Sequence, residues 1–154
     1  MINCAGLGAK SLASDPSVFP IRGQVVSVSQ NQSVRNSLRV YQRNDKLTLI
    51  LPRQDDIILG GTSQDDDWSL KVRDSETREI FERCRSLIPE LGTCEILSAS
   101  AGLRPGRYEV RLELERRQGK GDIIHNYGHG GGGYTVFWGC AQEVSSMVDR
   151  LYPA

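Results

Sequence analysis

The sequence predicts an α/β fold of α+β character, a mixed and largely antiparallel sheet with flanking helices. Three observations carry that expectation. Short runs rich in β-branched and aliphatic residues follow one another at 24–28, 38–42, 47–51 and 57–60, a spacing that suits an antiparallel meander better than βαβ units. Two segments, 75–88 and 134–152, repeat their apolar residues with a helical period. Just before the second of these, an apolar strand ends in the glycines 130–133, which lead straight into the helix.

Taken in order, residues 1–4 read as the tail of a buried strand, and Ala5-Gly6-Leu7-Gly8 as a small-residue turn into a short helical patch ending by Ala13. Asp15-Pro16 and Phe19-Pro20 mark turns, 24–28 a strand, and the Ser-, Asn- and Gln-rich stretch 29–37 a surface loop. Asp65-Asp66-Asp67 invites a cation, but no second set of oxygen ligands stands at a calcium-loop spacing, so a solvated turn is expected. In the next helix Ile80, Phe81, Cys84, Leu87 and Ile88 form one buried face, with Asp74 or Ser75 as N-cap and Pro89 just past the end. Residues 93–100 and 108–114 read as two strands, the second with Tyr108, Val110, Leu112 and Leu114 on one face, and 115–121 as a charged hairpin or loop. The closing helix should bury Val136, Phe137, Cys140, Val144, Met147, Val148 and Leu151. No internal repeat and no interior linker divides the chain.

Composition narrows the partners. The chain has 154 residues, a one-domain size, with 19 basic and 19 acidic side chains and no net charge. That balance gives no electrostatic case for nucleic acid or an anionic membrane, so a small molecule or a protein is the better-suited partner. No apolar run approaches the roughly 20 residues of a membrane span, and the N-terminus lacks the pattern of a signal peptide, so a soluble, intracellular chain is expected. Cys4, Cys84, Cys94 and Cys140 are scattered without a C-x-x-C pair, which points to buried free thiols rather than zinc or disulfides. The ending Tyr152-Pro153-Ala154 is no peroxisomal tripeptide of the Ser-Lys-Leu type, leaving cytoplasm and peroxisome both open.

The glycine loop carries the functional signal. Glycines let a backbone approach a ring or a phosphate closely, and the first N–H groups of the following helix present partial positive charge. A loop of this kind is often only a turn; its wording here says more. The run Ile123-Ile124-His125-Asn126-Tyr127-Gly128-His129-Gly130-Gly131-Gly132-Gly133-Tyr134-Thr135-Val136-Phe137-Trp138-Gly139-Cys140 is preceded by three further blocks. These are Ile2-Asn3-Cys4-Ala5-Gly6-Leu7-Gly8-Ala9, Pro20-Ile21-Arg22-Gly23-Gln24-Val25-Val26, and Gly102-Leu103-Arg104-Pro105 followed by Val110-Arg111-Leu112-Glu113. Together they resemble the flavin-dependent D-amino-acid oxidase family, which includes the D-aspartate oxidases. The blocks come in the family's order and match roughly the C-terminal half of a member. The resemblance implies that 1–23 and 122–154 are portions of a truncated FAD-binding domain and that 24–121 is mainly the substrate-binding portion. The strand and G-x-G-x-x-G turn that would hold the FAD pyrophosphate are expected to precede Ile2.

The resemblance also implies roles. In the family, hydride passes from the α-carbon of a D-amino acid to FAD, the imino acid hydrolyses, and O2 reoxidises the flavin to give peroxide, so no catalytic side chain is expected. Arg104 matches the carboxylate-binding arginine, whose two parallel donors stay charged at any relevant pH. Gly130, Gly131, Gly132 and Gly133 with Tyr134 and Thr135 match the segment along the flavin ring, with the closing helix aimed at the ring's pyrimidine edge. Gly131 also matches the residue whose carbonyl meets the substrate amine. Asn3-Cys4-Ala5-Gly6 resembles an Asn-Cys-Thr-Gly turn on the adenosine side, making Cys4 and Ala5 cofactor contacts, although Ala5 lacks the hydroxyl. Leu49 stands where a pocket tyrosine is usual. Arg43 lies near an arginine by which D-aspartate oxidases meet a side-chain carboxylate, whereas Ser63 replaces their second one, so the substrate signal is split between neutral and acidic D-amino acids. His129 and His125 suit packed hydrogen-bonding roles, because hydride transfer from a neutral amine needs no protein base, and no metal is expected. The expected function is FAD-dependent oxidative deamination of D-amino acids by a chain that binds FAD poorly on its own. The alternative is an inactive interaction module that forms a homodimer through the family's dimer surface.

Overall fold

A computed structural model of the chain describes residues 1–41 and 47–153, so Arg43 lies outside the described residues. The strands are β1 (Ile2–Asn3), β2 (Phe19–Ser29), β3 (Leu38–Tyr41), β4 (Leu47–Pro52), β5 (Asp56–Gly60), β6 (Gln64–Asp65), β7 (Ile96–Glu115) and β8 (Ile123–His129). The helices are α1 (Ala9–Leu12), α2 (Asp74–Leu87) and α3 (Gly133–Leu151), with short 3-10 turns at Gly6–Gly8, Pro89–Thr93 and Gly130–Gly132. None of the described helices is long and apolar enough to cross a membrane. The chain forms two compact units, Met1–Ile21 with Arg104–Ala154, and Arg22–Leu103.

In the Arg22–Leu103 unit, β2, β5, β4 and β3 pair in that order and always antiparallel, the meander that the strand spacing predicts. Alternation turns Ile50 of β4 and Ile57 and Leu59 of β5 towards α2, where they join Val26, Val28, Ile80, Cys84 and Leu91, all fully buried. Each buried Val, Leu or Ile contributes about 1.5–3 kcal/mol, so this face is the main source of the unit's stability. The helix begins one or two residues earlier than the capping signal suggests. Its N-cap is Arg73, in extended conformation and without a side-chain cap bond. The Gln24 amide instead accepts the Arg73 N–H at 2.9 Å and donates to the Arg73 carbonyl at 3.0 Å. Asp67 is likewise more than a solvated turn residue: it accepts the Ser69 N–H at 2.9 Å and pairs with Arg73 at 2.6 Å.

In the other unit, β1 runs parallel to β8 (Ile2↔Ile124, Asn3↔His125) and β8 antiparallel to β7 (Leu114↔Ile124, Arg111↔Tyr127). Ile124, Leu112 and Leu114 pack on Val144, Met147, Val148 and Leu151 of α3, while Tyr127 packs with Ala9 and Val18. Several expectations are corrected. The two strands expected at 93–100 and 108–114 are one, because Pro105 and Gly106 sit beside a register shift between Gly106 and Arg111, where a strand tolerates them. The strand tail is not buried: Met1 and Ile2 are exposed. The apolar stripe of α3 is covered only over its later turns, since the strand side chains against it meet residues 144–151, and Val136 and Phe137 stand in solvent. Tyr108 and Val110 are exposed for the same reason, being remote from the residues that meet α3. Of the thiols, Cys84 and Cys140 are buried, but Cys94 is half-buried and Cys4 exposed.

Candidate functional site

The end of β8 is shaped by residues that only glycine can supply. Gly128 and Gly130 have φ of +87° and +54°, and a Cβ on Gly128 would lie 2.7 Å from the Arg107 Cβ. The 3-10 turn Gly130–Gly132 then hands the chain to α3, whose N-cap, Gly132, makes no side-chain cap bond. The leading amides of α3 therefore meet no capping side chain and carry the positive end of its dipole. No atom lies within 4 Å of where a Cβ on Gly132 would stand. Tyr134 and Thr135 follow on the first turn, both exposed.

Arg104 is brought to this loop: a Cβ on Gly131 would lie 3.8 Å from the Arg104 Cδ. The turn after β1 reaches the neighbouring residue, with Gly6 (φ +54°) positioned so that its missing Cβ would stand 3.6 Å from Pro105. That turn is tied down by Asn3, whose Oδ1 accepts the Ala5 N–H at 3.0 Å and whose Nδ2 donates to His125 Nδ1 at 3.2 Å. With Nδ1 accepting, the imidazole proton sits on Nε2 and is donated to Glu115 Oε2 at 2.8 Å. The bond from His125 holds the Glu115 carboxyl below its ordinary range. A cavity of about 470 Å³ opens against this chain of contacts, lined by Asn3, Cys4, Ala5, Ser14, Glu115 and His125 among others, a volume within the range of small-molecule sites.

Behind the loop, burial pushes the Asp15 carboxyl up, but hydrogen bonds from the Tyr127 hydroxyl (2.8 Å) and the Ser17 N–H, with the Arg107 charge, outweigh it and hold the group low. The Tyr127 phenol is pushed up by burial. It also accepts from Arg111 at 2.8 Å, so Asp15, Tyr127 and Arg111 form one satisfied network. His129 Nε2 stands 3.5 Å from the Cys140 sulfur and flanks Gly133.

The structure thus gathers Cys4, Ala5, Arg104 and the loop Gly130–Gly133 with Tyr134 and Thr135 into one unit. Leu49 belongs to the Arg22–Leu103 unit, half-buried on β4 opposite Gly60. The links from Asn3 to His125 and from Gly6 to Pro105 join residues more than ninety positions apart, and no local pattern announces them.

A model of the FAD dependent oxidoreductase family matches residues 1–147. The chain is 45% identical over 148 residues to a D-amino-acid oxidase of Rubrobacter xylanophilus, covering 96% of this chain and 45% of that protein. It is 41% identical to a D-amino acid oxidase of Dugesia ryukyuensis, covering 98% and 46%, and 42% identical to the D-aspartate oxidase of Homo sapiens, covering 100% and 45%. The chain spans about half the length of these relatives. In structure it is similar to glycine oxidase from Geobacillus kaustophilus, with a TM-score of 0.81 at 20% identity over 97% of this chain and 41% of that one.

Proposed function

The chain belongs to the FAD-dependent oxidoreductase family, and from that premise we propose that it supplies the carboxylate-binding arginine and the ring-edge loop of an enzyme that oxidises D-amino acids, with O2 as electron acceptor. The observation that supports this reading most is the stem of Arg104 lying along Gly131 at the uncapped start of α3. The residues fit a planar ring that gains negative charge: open space over Gly132 would admit it, and the leading amides of α3, equivalent to about half a positive charge, would stabilise it. FAD, when bound, would supply the hydride acceptor for the substrate α-carbon and the route for the electrons to O2.

The protein's own work is positioning. Arg104 offers two parallel N–H donors to the substrate carboxylate, and the Gly131 carbonyl accepts from the amine, which fixes the face presented to the ring. Cys4 and Ala5, on the turn held by Asn3, would hold the adenosine side. No side-chain base is needed, because the amine reacts in its neutral form. With Arg43 and Ser63 pulling in opposite directions, both D-alanine and D-aspartate are to be tested.

The test joins this chain to the part of the Rubrobacter D-amino-acid oxidase that it does not match, with excess FAD followed by removal of free cofactor. A visible flavin band and peroxide release with D-alanine or D-aspartate, but not their L forms, are expected. Arg104→Met should raise KM about 100-fold, the loss of a charged bidentate contact. A flavin that stays oxidised with every D-amino acid under anaerobic conditions overturns the proposal. The chain alone should stay colourless. The exposed Tyr134, Phe137 and Trp138 on α3 favour one second reading, an interaction module without flavin, which a coloured, active fusion would set aside.

A further inference from the structure

Ile21 is half-buried on β2, within the unit formed by Met1–Ile21 and Arg104–Ala154, and alternation puts it on the same face as Phe19. Both side chains close on Gly106 of β7. A Cβ there would lie 2.7 Å from Phe19 Cε2 and 2.9 Å from Ile21 Cγ1 and Cδ1, so only hydrogen fits. The same Cδ1 reaches the glycine loop, 3.3 Å from where a Cβ on Gly130 would stand. One methyl group therefore lies against two backbones, the strand that carries Arg104 and the loop that carries Gly131. Those backbones are in register. Gly106 pairs with His129, and two residues further out on each antiparallel strand Arg104 comes across from Gly131, in keeping with the 3.8 Å between the Arg104 Cδ and a Cβ on Gly131. β8 ends at His129, and Ile21 packs at the point where the strand stops.

This placement bears on the reaction proposed above, on which the inference rests. There a D-amino acid is held at two neighbouring points, its carboxylate by Arg104 and its amine by the Gly131 carbonyl. The span between the two protein groups decides whether both contacts form at once. We propose that Ile21 is a positioning residue that sets this span: its Cδ1 methyl, wedged between Gly106 and Gly130, holds the Arg104 strand and the Gly131 loop at the spacing that lets one substrate meet both. It acts through the two backbones. Gly130 and Gly131 have no side chain of their own to brace the loop, so removing the methyl lets the loop settle inward by a fraction of an ångström. A shift of that kind costs the paired contact, while a carboxylate on Arg104 alone is still held.

Ile21→Val removes that methyl and nothing else. In the chain as it stands, NMR should show the Ile21 δ1 methyl close to the α protons of both Gly106 and Gly130, and far-UV circular dichroism should be the same for the variant. In the fusion described above, each substrate is paired with its analogue lacking the amine: propionate for D-alanine, succinate for D-aspartate. With whichever pair the fusion takes, Ile21→Val should lower kcat/KM for the D-amino acid about tenfold, while the inhibition constant of the analogue moves less than about twofold. Ile124→Val takes one methyl from a buried residue packed on α3 and should change neither. The proposal is overturned by a methyl that meets neither glycine, by substrate and analogue weakening together, by neither changing, or by an equal loss in Ile124→Val, which would make the effect one of general packing. A fusion that oxidises no D-amino acid overturns the proposed function and this inference with it; a working fusion that gives any of those results overturns this inference alone.

Discussion

Arg22 shows how far a single side chain can reach from its place in the sequence. Its guanidinium is fully buried and meets Glu76, whose own carboxyl is pushed up by burial yet held low by Arg22, Arg73 and Gln64. Removing one member of such a pair leaves the other charge buried without a counter-ion. Arg22→Met is therefore expected to destabilise the chain by about 3–5 kcal/mol, read from urea unfolding, whereas the exposed Arg116→Met should change it little. The sequence placed Arg22 in a recognisable block but offered no hint of this environment, because its carbonyl acceptors lie 47 and 49 residues away in a stretch with no periodicity. Arg104 stood out in the sequence because its neighbours form a motif, and Leu49 only as a departure from one.

Elements were legible where periodicity was strong and ran together where it was weak. The α2 pattern and the meander follow directly from apolar spacing, and the start of α3 from its glycines. The continuity of β7 through Pro105 and Gly106 did not, since breakers argue locally for a stop, while pairing with β8 on either side of the register shift argues for one strand. The exposed start of α3 had no sequence signature either: amphipathic spacing tells which face is apolar, not whether a partner covers it. The β8-to-α3 junction makes a sharp prediction. Gly128→Ala would combine a left-handed φ with a contact 2.7 Å from the Arg107 Cβ, and is expected to cost about 2–3 kcal/mol in equilibrium unfolding. Gly132→Ala, with open space and a right-handed conformation, should be tolerated.

Across the whole molecule, lowered carboxyls occur in both units: Asp15 and Glu115 in one, Asp56, Asp67 and Glu76 in the other. The hydrogen bonds from Arg53 and Ser27 take Asp56 down to about 2. A group whose folded value is depressed contributes stability in full above the unfolded carboxylate range, near pH 4, and loses it as pH falls through the folded value. The thermal midpoint should therefore be flat above about pH 5 and fall steadily from about pH 4 towards pH 2. At the other end, burial raises the Cys84 thiol to about 11, so its contribution is complete below the ordinary thiol range and fades as pH rises through that value. A midpoint that rose on acidification would contradict this assignment of ion pairs.

The boundary between Leu103 and Arg104 divides the chain's contacts into two sets. Residues 22–103 are an excursion that leaves one unit after Ile21 and returns at Arg104. For recombination with a relative, they amount to a cassette. Exchanging that stretch for a relative's would replace the residues at 43, 49 and 63 in a single splice while keeping the native Arg104, Gly131 and helix start, so that the two sets of residues could be inherited separately.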